Sequence, residues 1–406
     1  MPVADTVKQA LGSQSMIRKM FEEGIRLKKE HGTDKVFDFS LGNPDIEPPP
    51  AFHRVFLKLA KEDSKGSHGY MPNSGYAEVR EALAQKTSRE QGVNLDGSHI
   101  VMTCGAAGGL NVVFKSILNP GDEVITPCPY FMEYRPYASN HGGRIVEANT
   151  LSDFSLDLDS IKTSLSPKTA AVLINSPNNP TGRIYPAKVI ADLAKLMEEH
   201  GRKCGRMPYL ISDEPYREIV YDNALVPSIF TYYKESIVVN SYSKSLSLPG
   251  ERIGYVAVGP EVEDKQDLTG ALIYATRILG FVNAPALMQR IVSELVFACV
   301  DTDIYARRRA AFTKILDQVG IKYAKPEGAF YLFCKAPERK HSPDAKQNAS
   351  ITGNDLAFVE HLKQQLILGV PGAGFGKPGW LRFAYCVDEK IIKASDQAFK
   401  KAMESW

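Results

Sequence analysis

The sequence predicts an α/β protein whose central sheet is largely parallel and covered by helices on both sides. Seven short runs of apolar and β-branched residues lie between positions 75 and 295, and they alternate with helical stretches. The runs are continuously rather than alternately apolar, which is typical of strands buried on both faces. At 406 residues the chain is long enough for two domains, or for one large α/β domain with a smaller partner.

The first predicted element is an amphipathic helix, followed by a proline-rich linker. Ile17, Met20, Phe21 and Ile25 recur at three- and four-residue spacing before the linker FDFSLGNPDIEPPP. The predicted strands then follow as HIVMT, DEVITP, RIVEA, AVLIN, YLISD, SIVVN and YVAVG, with a helix at 186–200. Because ligands of such sheets bind at the carboxyl ends of strands, we expect the functional residues to follow these runs.

Charge and composition argue against several kinds of partner. The formal net charge is +2, so the composition does not indicate binding to nucleic acid or to an anionic membrane. The start, MPVADTVKQA, lacks the features of a signal peptide, and no apolar run approaches bilayer-spanning length. The six cysteines lack metal-binding spacing and fit free thiols in a reducing compartment. We therefore expect a soluble cytoplasmic protein without a metal site.

Two motifs of small or turn-forming residues follow predicted strands. TCGAAGGLN (103–111) leads into a helix, where backbone N–H groups can hold a phosphate, although small residues also allow close helix packing. SPNNPTG (176–182) presents Asn179 from a turn with two X-Pro bonds. Taken alone, this second motif is explained slightly better as a helix-initiating turn.

Two further motifs place ionisable side chains at strand ends. Asp213 ends YLISD, where a buried carboxylate is costly unless it is paired with a positive group, and Tyr216 follows it. Lys244 lies in SYSKSLSLPGERIG, a composition that is also typical of an ordinary loop. In a partly desolvated site its amine would form an imine with an aldehyde, and Ser241 and Arg252 would bind a dianion. This combination of amine, anion pocket, carboxylate and phenol suits pyridoxal phosphate.

Eight motifs in order make the chain resemble the class I/II aminotransferases of pyridoxal-phosphate fold type I, the aspartate aminotransferase superfamily. They are SLGNP (40–44), GYMPNSG (69–75), CGAAGG (104–109), PCPYF (127–131), NNPTG (178–182), SDEPY (212–216), S-x-S-K with GERIG (241–254) and GWLRF (379–383). The resemblance implies a transaminase with a large three-layer α/β/α domain at 49–295. A smaller α+β domain would combine 1–48 with 296–406.

The resemblance implies catalytic roles for Lys244, Asp213 and Tyr216. Lys244 would hold the cofactor as the internal aldimine and would then move a proton between the substrate α-carbon and the cofactor C4′. Asp213 would keep the pyridine nitrogen protonated, so that the ring accepts electrons. Tyr216 and Asn179 would hydrogen-bond the 3′ oxygen of the ring and so lower the imine pKa.

Four other positions match the phosphate cup of the family. They are Ala106 and Ala107, through their backbone N–H groups, and the side chains of Ser241 and Arg252. Tyr70 resembles the tyrosine that reaches the phosphate of the neighbouring subunit, which implies a homodimer with shared sites.

The remaining matches concern the cofactor ring and the substrate. Phe131 lies where an aromatic side chain stacks on the ring, a position that often carries tryptophan; the alternative is a core phenylalanine. Arg382 would clamp the α-carboxylate of an amino acid or 2-oxo acid with its bidentate fork, and the alternative is a surface arginine. Gly42 and Asn179 line the same pocket in relatives.

The sequence leaves the amino acid and the 2-oxo acid open. Aspartate and 2-oxoglutarate need a cation for their distal carboxylate, but one family location for it carries Ala107 here. A second location, contributed by the partner subunit, carries Ile278 next to Arg277, and Arg277 would serve only after a shift of one residue. Aromatic, methionine-like and alanine-type substrates stay open as alternatives.

Other function classes are weighed against the same residues. A carbon–sulfur β-lyase would use the same Lys244, Asp213 and Tyr216 and would differ only in its products. A transcription regulator with an aminotransferase-like domain would need an N-terminal DNA-binding segment, for which we expect no room before SLGNP. A binding protein with an inactive site is disfavoured because Lys244, Asp213 and Arg382 are all present.

Overall fold

The architecture is taken from a computed structural model, which describes residues 3–5, 7–8, 16–339 and 354–406. The helices are α1 (Met16–His31), α2 (Pro50–Lys61), α3 (Ala77–Gln91), α4 (Gly105–Ile117), α5 (Tyr134–Ser139), α6 (Leu158–Ser164), α7 (Ala187–Cys204), α8 (Tyr242–Ser245), α9 (Lys265–Ile278), α10 (Ala286–Glu294), α11 (Thr302–Val319), α12 (Asn354–Lys363), α13 (Glu389–Ala394) and α14 (Asp396–Ser405). The strands are β1 (Phe37–Asp38), β2 (Ile100–Thr103), β3 (Glu123–Pro127), β4 (Arg144–Ala148), β5 (Thr169–Asn175), β6 (Tyr209–Asp213), β7 (Ser236–Ser241), β8 (Gly254–Val258), β9 (Tyr323–Ala324), β10 (Tyr331–Lys335), β11 (Ile367–Leu368), β12 (Val370–Pro371) and β13 (Trp380–Ala384).

The central sheet confirms the predicted α/β class and all seven predicted strands. Its order is β2-β8-β7-β6-β5-β3-β4. The five strands from β7 to β4 are parallel to one another. Strand β8 runs antiparallel to β7, and β2 runs antiparallel to β8, so that β8 alone is reversed within this sheet. In register, Asn175 pairs with Asp213 and Asp213 pairs with Val239. The polar residues that end β5, β6 and β7 therefore meet at one edge of the sheet.

The helices on this sheet bury the side chains that the sequence pattern predicts. The helix expected at 186–200 is α7, which buries Ile190, Leu193 and Met197. It ends at Gly205, whose φ of 71° suits a left-handed C-cap. On the other side of the sheet, α4 packs against β7 and β8. Helices thus cover both faces.

A second, antiparallel sheet has the order β12-β13-β10-β9, and β1 pairs with β11. In this sheet Phe333 of β10 lies opposite Arg382 of β13. Its core joins distant parts of the chain, because Phe39 packs 4.6 Å from Phe312 and near Phe383 and Phe399. The N-terminal segment and the C-terminal region therefore share one hydrophobic core. The domain boundaries at 49 and 296 stay a prediction.

The N-terminal helix forms as predicted, but its apolar face is only partly buried. Met20 and Leu27 are buried, whereas Phe21 and Ile25 are 39% and 56% exposed. The spacing that predicts a helix therefore does not tell which apolar side chains meet the core. Among the helices of the described ranges, none combines the length and the apolar character that crossing a membrane requires.

A buried ion cluster ties α3 to the segment that follows β6. Lys86 has 5% of its side chain exposed, and its Nζ lies 2.6 Å from Glu90 Oε1 and 2.5 Å from Glu218 Oε1. The same Nζ lies 6.0 Å from the centre of the Tyr242 ring, two residues before Lys244. The ion cluster therefore lies next to the segment that carries Lys244.

We expect Lys86→Met to lower the free energy of unfolding by about 3 to 5 kcal/mol, because breaking a buried ion pair leaves uncompensated charges. The control is Lys188→Ala on α7, where an 86% exposed lysine pairs with Asp192 at 2.8 Å. That change should cost about 0.5 kcal/mol or less. Urea unfolding of both variants measures the difference, and equal losses would contradict a structural role for the buried cluster.

Candidate active site

A cavity of about 240 Å³ lies at the carboxyl ends of β5, β6 and β7. Eleven of the twelve predicted site residues line it: Gly42, Ala106, Ala107, Phe131, Asn179, Asp213, Tyr216, Ser241, Lys244, Arg252 and Arg382. They come from the N-terminal segment, from the loops and helices after the strands, and from β13. The fold thus brings together residues as far apart in the sequence as Gly42 and Arg382. Their individual roles remain predictions.

Lys244 lies on α8, a four-residue helix directly after β7. Its Nζ donates a hydrogen bond to the carbonyl oxygen of Gly42 at 2.7 Å. The Nζ also lies 5.5 Å from the centre of the Phe330 ring. Burial, together with the positive charges of Arg382 and Arg252, lowers the pKa of this amine to about 8. The amine is therefore more easily deprotonated than an ordinary lysine, as a nucleophile or a base requires.

Asp213, at the end of β6, is a buried carboxylate with one unsatisfied oxygen. Its Oδ2 accepts a hydrogen bond from the Tyr134 hydroxyl at 2.6 Å. Its Oδ1 is buried and has no hydrogen-bond partner among the described residues. Burial raises the pKa of Asp213 to about 7, and the neighbouring charge of Glu214 acts in the same direction. A protonated nitrogen at Oδ1 would satisfy this oxygen and favour the carboxylate form.

Arg382 is a buried guanidinium whose partners in the described ranges are neutral. It is 2% exposed. It donates to Asn179 Oδ1 at 3.0 Å and to the carbonyl oxygen of Ser40 at 2.6 Å, and its Nε has no partner among the described atoms. Burial lowers its pKa. Because a buried cation without a counter-ion is costly, this site is prepared for an anion.

The phenol and amide that were expected at the cofactor's ring oxygen lie next to this guanidinium. Asn179 turns its Oδ1 to Arg382, so Nδ2 is the donor end of its amide. The Tyr216 hydroxyl lies 2.7 Å from the hydroxyl of Tyr331. Tyr331 also holds its ring 4.5 Å from the Arg382 guanidinium. A network of contacts therefore joins the phenol to the cation.

A side chain has no room at Gly42. A Cβ at this residue would collide with the hydroxyl of Tyr331 and approach its ring carbons. The carbonyl oxygen of Gly42 meanwhile accepts the bond from Lys244. The glycine thus lets the N-terminal segment approach both the lysine and the tyrosine closely.

The residues predicted to form the phosphate cup lie together around the N-terminus of α4. Gly105 opens this helix with a φ of +71°, and a Cβ there would lie 2.8 Å from a guanidinium nitrogen of Arg252. Ala106 and Ala107 follow in the first turn, where backbone N–H groups have no helical acceptor. Ser241 ends β7 beside them. The arrangement combines a helix N-terminus with a fixed positive charge, as a phosphate site requires.

The two predicted aromatic contacts have different outcomes. Phe131 lines the cavity, with its ring 5.6 Å from that of Tyr134 at an interplanar angle of 84°. Tyr70 does not line the cavity in one chain and is 93% exposed. Its segment is tied to the loop after α9, since Asn73 Nδ2 donates to the carbonyl oxygen of Val282 at 2.6 Å. The cross-subunit role of Tyr70 stays a prediction.

Sequence reasoning missed three residues that organise the cavity: Tyr134, Asn175 and Tyr331. Asn175 Nδ2 donates to the backbone oxygen of Asp213 at 2.8 Å, and its Oδ1 accepts from the backbone N–H of Asn179 at 2.6 Å. The sequence could have indicated Asn175, because an asparagine ends an otherwise apolar buried strand. Tyr331 lies in an apolar stretch of the sequence and Tyr134 stands between Glu133 and Arg135, so neither tyrosine gave such a signal.

Comparisons with known proteins find relatives along nearly the whole chain. A family model, described as aminotransferase class I and II, matches residues 34–395. A probable aspartate/prephenate aminotransferase of Aquifex aeolicus is 33% identical over 384 residues, covering 91% of each chain. Aromatic-amino-acid aminotransferase 2 of Thermococcus litoralis is 29% identical over 401 residues, covering 96% of each. The crystal structure of an aminotransferase from Eubacterium rectale has a TM-score of 0.93 at 39% identity, covering 100% of this chain and 99% of that one.

We expect Arg382→Ala to raise the KM for amino and 2-oxo acids by orders of magnitude while pyridoxal phosphate stays bound. Losing a buried charge-assisted pair costs roughly 2 to 5 kcal/mol when the other partner remains desolvated. Arg382→Lys keeps the charge but not the fork, so its KM should lie between those of the wild type and the alanine variant. Steady-state kinetics, with cofactor content read from absorbance, checks both, and an unchanged KM in Arg382→Ala would refute the clamp.

Proposed function

Because the chain belongs to the class I and II aminotransferase family, we propose that it moves an amino group between an L-amino acid and a 2-oxo acid in two successive half-reactions. Enzymes of this family are pyridoxal-phosphate-dependent transaminases, so the activity and the cofactor follow from membership. The ping-pong order, the residue roles and the substrates are the parts that we propose.

The observation that carries the proposal is Arg382 beside Lys244 in one buried cavity. Amino acids and 2-oxo acids share an α-carboxylate, and Arg382 is a desolvated guanidinium without an anionic partner among the described residues. A single clamp suits two substrates that occupy the same place in turn, as a ping-pong enzyme requires. The clamp would also orient the α-carbon towards the lysine.

The side chains of the cavity fit pyridoxal phosphate. When bound, the cofactor supplies an aldehyde that takes up the amino group and a ring that accepts electrons. The unsatisfied Oδ1 of Asp213 would hold the ring nitrogen. The N-terminus of α4, Ser241 and Arg252 would hold the phosphate. Lys244, with its pKa lowered to about 8, would take a proton from the substrate α-carbon and deliver it to the cofactor C4′.

For the substrate, we favour a dicarboxylic amino acid or oxo acid, because relatives of this chain are named aspartate or aspartate/prephenate aminotransferases. Among the described residues that line the cavity the cations are Lys244, Arg252 and Arg382, which already have proposed roles. A distal carboxylate would therefore need a cation from the partner chain. Arg277 of α9 is the candidate: it is exposed and stacks 5.4 Å from the Tyr274 ring.

An aromatic substrate is the second candidate, and the cavity lining favours it. Leu41, Phe131, Tyr137 and Tyr331 line the cavity beside the groups already assigned. A relative of nearly equal coverage is named an aromatic-amino-acid aminotransferase. Apolar and aromatic side chains suit a ring better than a second carboxylate.

We expect aspartate or glutamate to convert the yellow holoprotein to its amino form without any oxo acid present, and 2-oxoglutarate to restore the yellow form afterwards. Absorption spectra follow both half-reactions, and chromatography identifies the 2-oxo acid that is released. Arg277→Ala should raise the KM for aspartate roughly tenfold or more, the effect of losing about 1.4 kcal/mol, and should leave the KM for tyrosine unchanged. The matched control is Arg290→Ala, another arginine stacked on a tyrosine, 5.0 Å from the Tyr76 ring.

Three results would contradict parts of this proposal. A spectral change that requires both substrates together refutes the ping-pong order. Release of ammonia and a thiol from a sulfur amino acid, without 2-oxo acid exchange, indicates a carbon–sulfur β-lyase. Equal losses for aspartate and tyrosine in Arg277→Ala refute its role in reading a distal carboxylate.

We also propose that the active unit is a homodimer in which Tyr70 completes the phosphate site of the partner chain. An exposure of 93%, as Tyr70 has, is unusual for a large aromatic side chain. Tyr274 and Ile278, on the nearby α9, are also exposed. The Asn73–Val282 hydrogen bond and the bond from Val282 N–H to the Thr276 oxygen connect these two segments. An exposed apolar patch of this kind is typical of a subunit interface.

Mixing Tyr70→Phe protein with Lys244→Ala protein should restore activity above the mean of the two parents. A heterodimer has one site with both defects and one with neither, provided that Tyr70 crosses the interface. Tyr70→Phe by itself should lose one hydrogen bond to a charged group, which contributes about 1.5 to 3 kcal/mol. Mixing Tyr232→Phe with Lys244→Ala is the control and should give only the mean. Verified heterodimers without a gain, or an active monomer in sedimentation, would refute a shared site.

A further inference from the structure

Tyr331, the first residue of β10, connects two parts of the site that were predicted separately. Its hydroxyl lies 2.7 Å from the hydroxyl of Tyr216, and the two rings meet at 5.6 Å and 79°. Its ring also lies 4.5 Å from the guanidinium of Arg382. The side chain is 2% exposed and lines the cavity. One buried residue therefore contacts both the phenol and the substrate-binding cation.

The direction of the tyrosine–tyrosine hydrogen bond follows from counting protons. Each hydroxyl carries one proton, and either oxygen can be the donor at this distance. If Tyr216 gives its proton to the ring oxygen of pyridoxal phosphate, Tyr331 has to donate within the pair. The positive charge of Arg382 over the Tyr331 ring withdraws electron density and makes this hydroxyl the better donor.

We propose that Tyr331 is a positioning residue, which donates a hydrogen bond to Tyr216 and so directs the Tyr216 proton to the ring oxygen of the cofactor. This inference rests on the proposed function. Accepting a hydrogen bond makes a hydroxyl a stronger donor in turn. A stronger bond to the ring oxygen stabilises its ionised form, which lowers the pKa of the yellow chromophore that Lys244 forms with the cofactor.

Other charged and titratable groups face the same atoms and have to stay constant in a test. Those around Tyr216 and Lys244 are Arg382 of β13, Cys386 after it, Tyr134 of α5, Asp213 of β6 and Arg252 before β8. Burial raises the pKa of Tyr216. Removing one oxygen atom from Tyr331 leaves all of the other groups in place.

The test is a pH titration of the visible absorption of the holoprotein without substrate. Tyr331→Phe keeps the ring over Arg382 and loses only the hydroxyl. It should raise the chromophore pKa by roughly 0.1 to 0.6 of a unit, which is about 10 to 30% of the roughly 1 to 2 units expected for Tyr216→Phe. Because the ring over Arg382 stays, its KM for amino acids should rise less than that of Tyr331→Leu. Tyr331→Leu also removes the ring and should raise both the pKa and the KM.

Two further variants separate positioning from a general structural effect. If Tyr331 acts only through Tyr216, the double variant Tyr216→Phe/Tyr331→Phe should have the same chromophore pKa as Tyr216→Phe alone. Tyr305→Phe is the matched control: its ring packs 5.2 Å from Phe330, and its buried hydroxyl has no partner among the described residues. It should not move the pKa.

An unchanged chromophore pKa in Tyr331→Phe overturns the inference. So does a Tyr331→Phe change that shifts the pKa equally in the wild type and in the Tyr216→Phe variant. A shift in Tyr305→Phe as large as that in Tyr331→Phe overturns it as well. Failure of the proposed function is a separate result: the wild-type protein would then form no chromophore with pyridoxal phosphate that amino acids bleach.

Discussion

A buried guanidinium with neutral partners is the constraint on which the arrangement of this site depends. Arg382 is held by the carbonyl oxygen of Ser40, the amide oxygen of Asn179 and the face of Tyr331. These groups come from the N-terminal segment, the loop after β5 and strand β10, so one desolvated charge is surrounded by parts of the chain that are far apart in sequence. Binding a carboxylate would recover the electrostatic energy that burial removes. Affinity for carboxylic acids is thus a property of the assembled fold and not of a single loop.

Exclusion of water shifts the pKa values of the acid and the amine of the site in opposite directions. Burial raises the pKa of Asp213 to about 7 and lowers that of Lys244 to about 8, because the neutral form of each group is the less costly one in a dry environment. A nucleophilic or basic lysine needs its neutral form, whereas a carboxylate that holds a ring nitrogen needs its charged form. Burial in this cavity therefore favours the neutral, reactive form of the lysine directly. It favours the charged form of the aspartate only once a positive partner lies against the carboxylate.

The sequence predicts the sheet and most of the cavity because strand identity and strand ends are local properties. Continuously apolar runs give the seven strands, and polar residues such as Asp213 and Ser241 at their carboxyl ends have to meet at one sheet edge. Tyr331 could not be found in this way, since it lies inside the stretch PEGAFYLF (326–333), whose apolar end has the pattern of a core strand. Its hydroxyl reaches Tyr216 because the segment after Tyr216 pairs with the distant segment before Tyr331, through backbone hydrogen bonds between 219–221 and 327–329. Likewise, helical spacing predicts α1 but not that Phe21 faces solvent.

The missing side chain at Gly42 makes this position and Tyr331 interdependent. As long as a tyrosine occupies position 331, any larger residue at 42 would have to displace it, and the N-terminal segment would move away from Lys244 with it. A smaller residue at 331 would create the space that a methyl group at 42 needs. The two positions, 289 residues apart, therefore form a size-compensating pair. Attempts to reshape the pocket for bulkier substrates would have to change both together, since altering either one alone leaves a collision or a void.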